Sequence, residues 1–273
     1  MANNIVITPP GRFSVPNVKH LWEAREVLFR FGARDVTLRY RQTLLGVVWV
    51  ILQPLLTALV LTLVLGRVAK LPSDGKPYLL LVFSGLIAYN MFSDMITRAS
   101  SSLVSNRDLV SKVFFPRMLV PLATGCSSFV DFMVSSVFMG VLLVIFGVSP
   151  GYALVLLPVW IVMLMLFASG IGLVAGALQV RYRDVAYVVP FLLQFFMFAS
   201  PVAYSTTAIP SKYQVIYNLN PLTWILNEFR WSFIAAPAPP AWQIALSIAV
   251  PVLVFVGGAV IFEQMERGFA DVI

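Results

Sequence analysis

MLVPLATGCSSFVDFMVSSVFMGVLLVIFGVSPGYALVLLPVWIVMLMLFASGIGLVAGALQV, residues 118–180, holds 63 residues and one charge, Asp131. A helix crosses the hydrocarbon core of a bilayer in about 20 residues, so the stretch is far too long for one crossing. Gly147–Gly151 (GVSPG) has the composition of a turn and divides it. Two apolar helices follow, at 118–146 and 153–178. The first is long enough for its opening turn to lie outside the bilayer.

The pattern extends in both directions. Residues 44–65 are 22 positions without a charge, roughly 33 Å of helix, with Pro54 inside predicting a kink. Residues 78–97 are apolar, with Asn90 and Asp94 toward the far end. Residues 185–204 and 242–262 complete six predicted spans. The polar links differ in kind. Residues 67–76 are a short loop, 98–117 a serine-rich charged insert, and Arg181–Asp184 (RYRD) a compact charged turn. Residues 205–241 are apolar only in pieces, broken by Asn218, Asn220, Pro221, Pro237, Pro239 and Pro240. A stretch so short and broken reads as re-entrant or interfacial, with backbone buried in protein or lining a watery cavity.

The whole chain agrees with this reading. Its 273 residues are 59% hydrophobic and 11% charged, and the mean hydropathy is +0.88. Soluble domains carry about 25% charged residues, so lipid must be the solvent for much of this surface. The fold class is an all-α integral membrane protein. Residues 1–43 form a polar N-terminal segment too long and too charged for a signal peptide. From Val18 onward, Val18, Leu21, Trp22, Leu28, Phe29 and Phe31 recur at helical spacing among Lys19, Glu23, Arg25, Glu26 and Arg30. That pattern suits an amphipathic helix lying in the membrane interface, or one packed on protein. Residues 263–273 are a short charged tail.

Six crossings put both termini on one side. The N-terminal segment, the 98–117 insert, the RYRD turn and the C-terminal tail together hold 14 of the 19 Lys and Arg residues. The positive-inside rule places that side, and both termini, in the cytoplasm. The same rule explains the net charge of +7 without nucleic acid. No repeat of two inverted halves is visible.

Several chemistries are excluded. Cys126 is the only cysteine and His20 the only histidine, so an intrachain disulfide and a Cys/His zinc site are impossible. No metal or cofactor is expected in this chain. No G-x-x-x-x-G-K-[ST] loop is present, since Gly75-Lys76 is followed by Pro77, so Walker-type ATP hydrolysis is not expected here. Ion-driven carriers need ionisable residues at mid-membrane. Only Asp131 is clearly placed there, and it reads as a structural carboxyl hydrogen-bonded to Ser127, Ser128 or Ser135, without a basic partner in the spans. The chain has a membrane path and no engine of its own.

Arg34-Asp35, then Leu38-Arg39-Tyr40-Arg41-Gln42-Thr43-Leu44-Leu45-Gly46, Trp49 and Gln53-Pro54 resemble the start of type-2 ABC exporter permeases. The resemblance is closest to the branch that exports lipid-linked polysaccharides such as O antigen, capsule and teichoic acid. Gly85-Leu86 with Tyr89-Asn90, Phe114-Phe115-Pro116-Arg117, Arg181-Tyr182-Arg183-Asp184, Ser200-Pro201-Val202 and Asn220-Pro221 follow in the order such proteins show, over about residues 20–270. The resemblance implies a homodimer of this chain in the bacterial inner membrane, paired with two ATP-binding cassette subunits that carry ATP and Mg2+. It implies an interface helix, a coupling helix between spans two and three, and re-entrant helices before the last span. The expected substrate is a polyprenyl-diphosphate-linked glycan. Two alternatives are a type-2 permease for a drug or lipid, and a membrane scaffold or enzyme of glycan synthesis.

Three groups of residues become candidates. Arg34, Arg39 and Arg41 precede the first span, where a lipid diphosphate headgroup would meet them; arginine suits phosphate by its fork and permanent charge. Anchoring to anionic lipid would use the same residues. Tyr40, Trp49, Tyr89, Phe92, Phe195, Phe196, Phe198 and Tyr204 are candidates for lining a sugar conduit, because sugar C–H faces stack on aromatic rings, although span aromatics also serve as core or belt. By resemblance, Arg107, Asp108, Leu109, Lys112 and Phe114, with Arg181, Arg183 and Asp184, face the ATPase. Charges around a few apolar anchors suit such an interface. Reversing the charges of Arg107 and Asp108 together is expected to leave ATP hydrolysis in place and stop export; normal export by the assembled complex refutes the docking role.

Overall fold

The computed structural model describes residues 18–41, 46–108 and 115–269. Every regular element among them is helical. In chain order these are α1 (Val18–Glu23), α2 (Arg25–Arg41), α3 (Val47–Leu61), α4 (Tyr78–Ser105), α5 (Leu119–Ala123), α6 (Gly125–Ile145), α7 (Leu157–Arg181), α8 (Val185–Ala199), α9 (Ser211–Asn218), α10 (Pro221–Ile234) and α11 (Ala241–Glu266). A π turn, Thr62–Val68, extends α3, and a 3-10 turn, Tyr152–Leu156, leads into α7.

Among the described residues, five helices are long and apolar enough to cross a membrane: Val47–Val68, Tyr78–Ser105, Leu119–Ile145, Tyr152–Arg181 and Ala241–Glu266. The protein is therefore a multi-pass membrane protein. The predicted span at 185–204 differs. Its helix, α8, has 15 residues, about 22 Å at 1.5 Å per residue. It ends where Ser200 turns extended before Pro201, because proline disfavours helical backbone in the residue before it.

Another boundary departs from expectation. The second helix runs to Ser105 rather than stopping at 97. The serines that looked like a loop turn their hydroxyls back on the helix: Ser100 bonds to the Thr97 carbonyl, Ser101 to the Thr97 and Arg98 carbonyls, and Ser102 to the Ala99 carbonyl. Such bonds let serine persist inside a helix. α3 is described from Val47, after Gly46 at φ 47°, a positive φ that favours glycine; residues 44 and 45, expected in this span, lie outside the described residues.

The core centres on α4. Leu80, Leu81, Phe83, Leu86, Tyr89, Phe92, Met95 and Ile96 are all buried, and α6, α7, α8 and α10 pack around them. Small residues let the backbones close. A Cβ on Gly172 would lie 2.7 Å from the Ala99 Cβ, and one on Gly176 would lie 2.9 Å from the Ala99 carbonyl oxygen. A Cβ on Gly258 of α11 would strike the Gly170 carbonyl of α7. Close approach through small residues is how helices associate in lipid, where apolar burial supplies no drive.

The links gather at two ends. At one, Leu103, Met118, Val120, Val180, Phe262 and Phe269 form a small core, with Leu21 and Phe115 packed on it. At the other, the Asp74 carboxylate accepts hydrogen bonds from Ser205 and from Thr207 (2.7 Å), and the Tyr78 hydroxyl donates to the Ala203 carbonyl at 3.0 Å. Here Arg230 is buried and donates to the carbonyls of Tyr204 (2.9 Å) and Val202 (2.8 Å). Gly85 leaves the space for it: a Cβ there would overlap the Val202 carbonyl oxygen. Residues 202–207 and Arg230 are held together at this end. The Asn220 side chain caps α10 by accepting from the Leu222 amide, with Pro221 at the first helical position.

The close contacts give a direct test. Gly258→Val forces atoms into the α7 backbone and is expected to cost at least the 1–3 kcal/mol of about one overpacked side chain. The neighbouring Gly257→Ala meets no atom within 4 Å and should be neutral or gain about 0.5–1 kcal/mol in helix propensity. Thermal melting of the detergent-solubilised protein separates the two; equal effects refute the backbone contact.

Candidate functional site

The N-terminal helices pack on the bundle with one face and expose apolar side chains on the other. Gly32 is buried, and a Cβ on it would lie 2.6 Å from the Cys126 sulfur of α6. The Phe31 and Phe115 rings sit 5.7 Å apart. Trp22, Phe29 and Leu38 are exposed. Of the two sequence readings, packing on protein describes its buried face.

This packing brings the C-terminal end of α2 to the mouth of a cleft between α3, α4 and α6. The cleft encloses about 320 Å3. Arg39 and Tyr40 come from α2, Trp49, Val50, Gln53 and Pro54 from α3, Asn90 and Asp94 from α4, and Ser128, Asp131 and Ser135 from α6. Arg39 Nη2 lies 2.6 Å from Asp131 Oδ2 and 3.8 Å from Asp94 Oδ2. The Tyr40 hydroxyl donates to Asp131 Oδ1. Burial, reinforced by that carboxylate, pushes the Tyr40 phenol up from its ordinary value, so it remains a donor at neutral pH.

Asp131 therefore has partners that the sequence reading did not assign. The serines expected to satisfy it are turned elsewhere: Ser127 donates to the Thr124 carbonyl, Ser135 lies 3.5 Å from the Val50 carbonyl, and the Ser128 hydroxyl is buried without a hydrogen bond. The basic partner comes from α2, outside the spans. A carboxylate placed in an apolar span was the available signal, since buried charges are paired; its partner was not readable from spacing.

The three arginines do not converge. Arg39 lines the cleft. Arg34 pairs with Asp35 at 2.9 Å, donates to Asn106 Oδ1 at 2.9 Å, and lies over the Phe31 ring. Arg41 is exposed at the end of α2. The aromatic set also divides. Tyr40 and Trp49 line the cleft. Tyr89 and Phe92 are buried in the core, where the Tyr89 hydroxyl meets the Leu193 carbonyl and Phe92 stacks on Phe167 at 5.4 Å. Phe195, Phe196 and Phe198 are exposed on α8. The Tyr204 hydroxyl lies 2.8 Å from that of Tyr217.

Of the residues assigned to ATPase contact, Arg107 and Asp108 are exposed just beyond α4. Arg181, Arg183 and Asp184 are exposed at the end of α7. The two helices run parallel, since Gly172 and then Gly176 pass along the stretch from Met95 to Ser100, so both groups leave the bundle at the same end. Leu109, Lys112 and Phe114 lie outside the described residues.

Comparison with known proteins accounts for most of the chain. A protein of Myxococcus xanthus named O-antigen export system permease protein RfbA is 29% identical over 256 residues, covering 93% of this chain and 98% of that one. A Klebsiella pneumoniae protein of the same name is 24% identical over 241 residues, 88% of this chain and 92% of that one. The Escherichia coli polysialic acid transport protein KpsM is 23% identical over 203 residues, 72% and 77% of the two chains. The sequence pattern of the ABC-2 type transporter family matches residues 27–234. That range takes in most of α2, the cleft with Arg39, Asp94 and Asp131, and the helices through α10, and the chain belongs to the ABC-2 type transporter family.

Proposed function

We propose that this chain is the membrane permease subunit of an ATP-driven exporter that moves a lipid-linked polysaccharide outward across the bacterial inner membrane. The observation that carries the reading is the near end-to-end similarity to a relative named as an O-antigen export permease, over 93% of this chain. The KpsM similarity widens the substrate class to a second kind of polysaccharide. ABC-2 transporters work with an ATP-binding partner, which here would carry ATP, Mg2+ and the hydrolysis step; the chain itself is the path and not an enzyme.

The proposed assembly is a homodimer with two ATPase subunits, six crossings per chain and both termini cytoplasmic. In support of this topology, the four basic segments leave one end of the bundle, and residues 67–77 and 200–210 meet at the other. The chain must then cross between Asp184 and Ser205, and α8 is the element that does so. Residues 205–241 enter from the outer side without crossing, with Leu222, Ile225, Phe229 and Phe233 buried in protein. Backbone at membrane depth needs such burial. The proposed substrate arrives as a polyprenyl diphosphate near the C-terminal end of α2, and Arg39 and Arg41, which lie there, are the proposed contacts for its headgroup.

Deleting the gene is expected to leave undecaprenyl-linked glycan inside the cell and remove the polymer from the surface. Unchanged surface polymer, with none accumulating inside, overturns the exporter reading. Arg39→Lys with Arg41→Lys keeps the charge and loses the planar fork. Export should fall about tenfold or more, as expected where bidentate phosphate contacts are lost. Unchanged export in an assay of surface polymer means that these residues serve only as anchors to anionic lipid.

A further inference from the structure

The cleft carries one guanidinium and two carboxylates. Arg39 reaches both acids through Nη2, at 2.6 Å to Asp131 and 3.8 Å to Asp94. Its side chain is 27% exposed, that of Asp131 10% and that of Asp94 43%. Tyr40 fixes the second oxygen of Asp131, so the carboxylate is oriented toward Arg39 rather than free to turn away. The trio has a formal charge of −1. A diphosphate approaching this cleft meets net negative charge, and its target cation is already occupied. A phosphate taking the Arg39 fork would be set against the two carboxylates that already flank Nη2, and like charges brought that close repel, so the two compete for this cation.

We propose that Asp131 and Asp94 mask Arg39, so that the ion pair and diphosphate binding at this arginine compete. The inference rests on the proposed diphosphate-lipid substrate and adds the regulation of its headgroup site. The three charges sit on three elements, α2, α4 and α6, so unmasking requires α2 to separate from α6 at this point. Headgroup binding and that separation then favour one another by linkage. Gln53, Asn90 and Ser128 face the same cleft as neutral hydrogen-bonding groups, and the Ser128 hydroxyl is buried without a partner. Being neutral, they add hydrogen-bonding groups to the cleft without adding to its negative charge.

The test uses the complete permease–ATPase complex in nanodiscs without nucleotide, titrated with farnesyl diphosphate. Asp131→Asn removes the competing charge and keeps the size and an oxygen acceptor for Tyr40. It is expected to bind the probe at least tenfold more tightly than the unmodified complex. Asp94→Asn should shift binding in the same direction by a smaller factor. Arg39→Ala should abolish binding, and the double variant with Asp131→Asn should behave like Arg39→Ala. Weaker or unchanged binding in Asp131→Asn, with loss in Arg39→Ala, overturns masking and leaves the diphosphate site standing. Equal binding by Arg39→Ala and the unmodified complex overturns the diphosphate site at Arg39 itself. If Asp131→Asn does not assemble, the more exposed Asp94 decides: tighter binding by Asp94→Asn sustains the proposal, and no gain refutes it.

Discussion

A carboxylate inside an apolar helix bundle must find a cation or give up its charge. Asp131 is an acid to which that constraint applies, and Arg39 answers it. The pairing has a structural consequence beyond its own two residues. Arg39 lies on a helix that precedes the bundle, so satisfying Asp131 fixes where the end of α2 lies against α6. Gly32 against Cys126 and Phe31 against Phe115 align the rest of α2 along the same surface. The cleft forms where the tip of α2, held there, meets α3, α4 and α6.

The remaining packing follows from a second constraint. Helices in lipid gain little from burying one apolar surface on another, so they depend on close backbone approach and on satisfied polar groups. Both are present, at different heights. Gly170 and Gly258 bring α7 and α11 into backbone contact, and Gly172 and Gly176 do the same for α7 and α4. At the outer end the polar means take over, where Arg230 satisfies two loop carbonyls and Asp74 gathers two hydroxyls. By contrast α3 and α8 expose long apolar faces, including Leu56, Val60, Tyr187, Phe191 and Phe195. These faces are suited to lipid or to another protein surface.

The span positions were legible because an apolar run of twenty residues has few alternatives. What escaped was local chemistry that composition does not resolve. Serine reads as loop-forming, yet Ser100–Ser102 bond to their own helix and carry α4 to Ser105. The run 185–204 reads as one span, yet Pro201 ends the helix at Ala199. In the site, Arg39, Tyr40 and Trp49 were found from the motif before the first span, and they share the cleft. Asp131 was noticed but its partners were not, because Tyr40 lies 91 positions away and nothing in the intervening sequence encodes the pairing. The aromatic set was legible least of all. Phe92 and Phe195 look alike in sequence, and only the helix face separates a core ring from an exposed one.

The same geometry decides how the two ends of the molecule communicate. α4 runs unbroken from Tyr78 to Ser105. Its last turns meet Gly176 and the small core at the basic end, and Asn106 just beyond it accepts from Arg34 of α2. Near its start, Gly85 lies against Val202 and Arg230. Asp94, between the two, faces Arg39 across the cleft. One helix therefore touches the exposed Arg107–Asp108 segment, α2, the charged cleft and the loop held by Arg230. Because its middle is close-packed on α6, α7 and α10, a displacement applied at its lower end cannot be absorbed by local give in a void. Along α4, the ion pair of Asp94 with Arg39 at the cleft and the Arg230 hydrogen bond to Val202 beside Gly85 are contacts where a change of position would alter polar partners rather than apolar packing.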